Sequence, residues 1–124
     1  MLTEKPHPRI MELLRSLGLR SSDLIVLRKS ALKVNDTLPT IWIVATHQEV
    51  LLCCTHRKRG LWRRLPRREL NAARYEVNSA GGASIRIIFN SDAENDLVVP
   101  LPSGISPEEG AEVATALPVT TGWG

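Results

Sequence analysis

Aromatic residues are scarce in this chain: three tryptophans, one tyrosine and one phenylalanine make 4% of its 124 residues. A surface that stacks successive bases of a single strand needs several exposed rings, so the scarcity speaks against that mode of nucleic-acid binding. Cysteine is scarcer still, and its two copies, Cys53 and Cys54, are neighbours. Within a strand adjacent side chains leave opposite faces, so the pair cannot staple distant parts of the chain and fits a reducing compartment. His7, His47 and His56 do not fall at metal-ligand spacing with these thiols, because Cys-Cys-x-His sets its donors too close together for a zinc site. Long hydrophobic runs are missing as well. Nothing approaches the roughly 18 residues needed to span a bilayer, and MLTEKPHPRI lacks the continuous apolar core of a signal peptide. The expected location is the cytoplasm. No glycine loop cradles a phosphate, and no Ser or Cys pairs with a base, so the expectation is a protein without catalytic residues, cofactor or small-molecule substrate.

What is present is an ordinary globular composition, 43% hydrophobic and 23% charged, enough for one domain with a modest core. The net charge of +3 hides an asymmetry. Residues 56–74 hold eight Lys and Arg against one acid, Glu69, a surplus of seven, while the rest carries eight bases against twelve acids. The acids gather at Asp92, Glu94 and Asp96 and again at Glu108, Glu109 and Glu112, so the molecule is expected to be an electrical dipole.

The run IWIVATHQEVLLCCTHRKRGLWRRLPRREL, Ile41 to Leu70, organises the rest. Ile41–Thr46 and Val50–Thr55 are rich in β-branched and aliphatic residues around a polar His47-Gln48-Glu49 turn, which reads as two antiparallel strands. After a turn at Arg57–Gly60, Leu61–Pro66 alternates Leu61, Arg63 and Leu65 on one face with Trp62, Arg64 and Pro66 on the other. Ahead of this run, Ile10, Leu13, Leu14 and Leu17 follow helical spacing and Gly18 suits the helix end. That helix is expected to pack on the domain and not to lie on a membrane, since its polar face is mixed in sign. Asp23–Val34 reads as the first strand. Ala72–Val77 and Ser84–Phe89 flank a Gly81-Gly82 turn, and Leu97–Leu101, with Pro100, reads as a last strand at an edge. Ser106, Pro107 and Glu109 supply the N-cap, first and third positions of a capping box, for a helix ending near Leu117.

The expected fold is therefore mainly β (α+β), about seven short antiparallel strands with a short N-terminal helix and a C-terminal one. The runs WIVATHQEVLLC, GLWRRLPRREL, SIRIIF and SPEEGAEVATAL resemble the pleckstrin-homology-like domains of bacteria, over roughly residues 23–117. The resemblance implies a partly open barrel of seven strands, its mouth plugged by Val113, Ala114 and Leu117; residues 1–22 are the helix and lead-in before it, and 118–124, polar and glycine-rich from Thr120, are expected to be a flexible tail. It implies a binding module. The family's headgroup-binding bases lie in the first hairpin loop, whereas here that loop, Val34–Thr40, holds an acid and no base.

The arginine band admits two readings, a solvated face or a contact surface. Seven unbalanced charges repel one another more than solubility requires, which favours contact. Arginine binds carboxylate and phosphate bidentately and stacks on rings. The expected partner-binding residues are Arg57, Lys58, Arg59, Trp62, Arg63, Arg64, Arg67 and Arg68. Trp62 suits either an anchor or a core position, and Arg63, which shares a face with Leu61 and Leu65, suits the rim of the core. The expected function is a non-enzymatic module or accessory subunit docking this face on an acidic protein, within a larger or membrane-associated assembly. Nucleic acid ranks second and an anionic membrane surface third.

Overall fold

The computed structural model describes residues 2–33, 40–55 and 60–120. Helix α1 (Pro8–Ser16) opens on a proline, and the His7 side chain accepts from the backbone N–H of Arg9. It ends as Gly18 permits: with φ at 78° the chain turns left-handed, and the N–H groups of Gly18 and Leu19 return to the carbonyls of Arg15 and Leu14. Strands β1 (Val26–Lys33), β2 (Thr40–Ala45), β3 (Glu49–Cys54) and β4 (Leu61–Pro66) form one antiparallel sheet in sequence order. Strands β5 (Leu70–Val77), β6 (Ala83–Phe89) and β7 (Leu97–Pro100) form a second. Helix α2 (Pro107–Ala116) follows. The mainly β, α+β expectation holds, with strands and helices close to the positions read from sequence.

Two local departures, and the division between the sheets, have physical causes. The first strand begins at Val26 and not at Asp23, because Asp23 closes a 3₁₀ turn (Ser21–Asp23) by accepting the Arg20 N–H at 2.8 Å. Val34 and the rest of the first hairpin loop through Pro39 lie outside the described residues. The strands fall into two sheets with no closed barrel, which does not contradict the partly open one expected: β4 ends at Pro66, which has no N–H to donate, and a 3₁₀ turn (Arg67–Glu69) carries the chain from one sheet to the other. Pro118–Thr120, expected to begin a flexible tail, are tied down: Thr120 donates its N–H to Leu70 O at 2.7 Å and its hydroxyl to Arg67 O at 2.8 Å. Residues 121–124, Trp123 among them, lie outside the described residues.

Two apolar clusters hold the layers. The larger lies between the sheets, where Ile41, Ile43, Val50, Leu52 and Leu65 meet Leu70, Ile85, Ile87, Phe89 and Val99. Val113, Ala114 and Leu117 of α2 belong to the same cluster. The smaller lies on the other face of the first sheet, where Ile10 and Leu14 of α1 cover Leu27, Trp42, Val44, Leu51 and Cys53. Strands β2 and β3 are thus buried on both faces, which is why their sequences run apolar without alternation. Cys53 and Cys54 point to opposite clusters, as adjacent strand residues must.

α2 binds both sheets. Ser106 caps it by accepting the Glu109 N–H at 3.2 Å, but the carboxylate of Glu109 does not close the expected capping box; it pairs with Arg28 on β1. On the other side Gly110 lies against the Tyr75 ring of β5.

Candidate functional site

β4 and the turn after it carry the described part of the arginine band, and a bulge decides which way each side chain faces. Leu52 stands opposite Arg63 but Cys53 stands opposite Leu61, so Trp62 is an extra residue on β4. The simple alternation expected for Leu61–Pro66 therefore fails at its start. Leu61 packs with the α1-side cluster, and Trp62 packs with the core between the sheets. Trp62 is thus half-buried at the core and does not share the outward face of Arg64.

From Arg63 onward alternation resumes. Arg63 sits at the rim of the inter-sheet core, its guanidinium 5.4 Å from the centroid of the Phe89 ring, a cation–π stack. Arg64 points outward but is not free. Glu49, across the ladder on β3, accepts from its Nε at 3.1 Å and lies 2.9 Å from its Nη2. Glu69 is the one acid within residues 56–74, and Glu49, from outside that stretch, supplies the partner of Arg64. Arg57, Lys58 and Arg59 lie outside the described residues.

Arg67 and Arg68 are exposed on the 3₁₀ turn. The backbone of that turn is clamped from several sides. Arg67 donates its N–H to Gln48 O at 2.9 Å; Asn90 donates its side-chain amide to Arg68 O at 2.6 Å and its backbone N–H to Glu69 O at 2.9 Å. The Arg67 Nε reaches Val119 O at 3.3 Å. Among the described residues Arg63, Arg67 and Arg68 have no carboxylate at ion-pair distance.

Arg63 and Arg68 open onto one pocket of about 290 Å³, together with Phe89, Asn90, Glu69 and Glu94. The sequence reading missed Phe89, Asn90 and Glu94 as members of this site. The one available signal was the inward position of Arg63, which implies an inner-face partner for its cation. Glu94 belongs to the acid group expected at the far pole of a dipole, yet it lines the pocket of the arginines. The separation of charge is further reduced where Glu109 pairs with Arg28, and Asp96 and Glu76 with Arg86. The hydrogen bond and charge of Glu76, with those of Asp96, hold the Arg86 guanidinium even further in its charged form.

The chemistry available elsewhere is limited. Burial pushes the Cys53 thiol up to about 12, with neighbouring Cys54 adding to the shift, so Cys53 stays a protonated, poor nucleophile at neutral pH. Among the described residues no three His, Cys, Asp or Glu gather as a metal site requires, and no helix is long and apolar enough to cross a membrane. No protein-family model, no curated protein and no solved structure matches this chain.

Proposed function

We propose that this protein is a non-enzymatic binding module, or an accessory subunit, that docks the face carrying Arg63, Arg67 and Arg68 on an acidic surface of a protein partner. In this reading it works without a cofactor, in the cytoplasm or at the membrane periphery as part of a larger assembly. Its two sheets are the halves of an opened pleckstrin-homology-like barrel, with α2 as the cap. The observation that carries the proposal is that, among the described residues, Arg63, Arg67 and Arg68, on β4 and a clamped turn, have no carboxylate at ion-pair distance, and two of them open on one pocket. Arg28, Arg64 and Arg86 all have carboxylate partners within the fold. Guanidiniums left without one, on a backbone already held in place, are preorganised for an external carboxylate.

Capture of partners on the immobilised protein at low and at high salt tests the class of partner. A protein retained at low salt and released at high salt, unaffected by nuclease or detergent, supports the proposal. Loss of all retention on nuclease treatment replaces it with nucleic-acid binding, and loss on detergent replaces it with a lipid surface.

A further inference from the structure

The pocket of Arg63 and Arg68 also contains two acids, and this decides what kind of anion it accepts. Arg63 spends the face of its guanidinium on Phe89, which leaves the N–H edges available for a carboxylate. Arg68 stands on a turn whose carbonyl oxygens are held by Asn90. Between them lies about 290 Å³, at the lower bound of the roughly 300–1,000 Å³ of small-molecule sites, room for a side chain and little more. Glu69 and Glu94 line the same space, and neither has an ion-pair partner among the described residues. A polyanion laid across this site would set its remaining charges against those two carboxylates, and like-charge contact works against such a partner. A segment carrying both signs meets no such penalty.

We propose that the pocket lined by Arg63, Arg68, Glu69 and Glu94 recognises a mixed-charge segment of a partner protein, an Asp or Glu side chain seated between the two arginines with a Lys or Arg beside it. This rests on the reading of the arginine face as a protein-docking surface and specifies its partner. The acidic side chain gives its carboxylate to both guanidiniums, while the neighbouring base answers Glu69 or Glu94.

Three fluorescein-labelled probes of matched length test this by anisotropy and by side-chain Nε shifts of Arg63 and Arg68 at near-physiological salt. They are a glycine-spaced Glu-Lys peptide, a glycine-spaced all-Glu peptide and a single-stranded oligonucleotide. The Glu-Lys peptide should bind tightest and shift both Nε signals. Arg68→Ala should weaken it by at least about tenfold, the loss expected for a charge-assisted hydrogen bond. Glu69→Gln combined with Glu94→Gln should reverse the preference, strengthening the all-Glu peptide and weakening the mixed one. Tighter binding of the all-Glu peptide or the oligonucleotide to the native protein, an unchanged order in the double Gln variant, or no binding of the mixed peptide overturns the proposal. The two readings fail separately. If a captured protein partner is lost with Arg67→Glu but is indifferent to Arg68→Ala and to the double Gln variant, the pocket assignment falls and the docking surface stands; indifference to every arginine removes both.

Discussion

Replacing Gly110 by alanine sets two effects of opposite sign against each other, and the structure says which one wins. Gly110 is buried inside α2, where glycine gives up about 1 kcal/mol of helix stability relative to alanine. On propensity alone Gly110→Ala would stabilise. A Cβ at this position, however, would stand 2.3 Å from Cε1 and 2.6 Å from Cδ1 of Tyr75. Either the ring turns out of its place or α2 lifts from β5, and overpacking of this kind costs about 1 to 3 kcal/mol. The expected outcome in urea unfolding is a net loss of up to about 2 kcal/mol. The control is the same substitution in a Tyr75→Ala background. There the obstruction is gone, and Gly110→Ala should stabilise by about 1 kcal/mol. The sign reversal between the two backgrounds is a coupling that only contact explains. Stabilisation by the same amount in both would refute the packing of α2 on β5.

Three further outcomes follow from packing and charge. Ile43, Leu52 and Ile87 are each at most 1% exposed in the inter-sheet cluster, so truncating any one to Ala should cost about 2 to 5 kcal/mol, read as a fall in the urea midpoint. Arg64→Glu would set a carboxylate beside Glu49, so it should cost about 1 kcal/mol, whereas Arg68→Glu should fall within about 0.5 kcal/mol of the native protein; equal effects would show that the Arg64 pair contributes nothing. Cys53 in the folded chain binds its proton up to about pH 12, while an unfolded thiol releases it near pH 8.5. The folded state therefore holds more protons above that point, and stability should fall as pH rises from about 9 towards 12. A Cys53→Val variant should lose that part of the decline, and an identical pH profile would contradict the assignment.

The placement of the elements was legible where the chain punctuates itself. Pro8 and Gly18 bound α1, Ser106 and Pro118 bound α2, and the Gly81-Gly82 pair marks the β5–β6 turn, with Gly81 at a φ of 87°. Each is a local backbone requirement that a residue type states openly. The bulge at Trp62 was not legible, because Leu61 to Leu65 alternates in sequence whether or not an extra residue is inserted, and only the ladder with β3 reveals the shift. The corner at Pro66 had its signal in the missing N–H, yet whether the next strand rejoins the same sheet depends on the turn that follows. The pocket was hidden for a different reason. Arg63, Phe89 and Glu94 come from β4, β6 and the loop after β6, and sequence order carries no record of that meeting. Likewise the Glu49–Arg64 pair is a cross-strand contact, so the band looked less neutralised in the sequence than it is in the fold.

Hydrogen exchange on the protein with its captured partner tests the central claim most directly, since it maps the docking face without altering a residue. The account predicts slowed exchange confined to the turn at 67–70 and to residues 89–94, which together frame the pocket, with the protection removed by high salt. Protection confined to α1 or to the outer face of the β5–β7 sheet, with 67–70 and 89–94 exchanging as in the free protein, would contradict it.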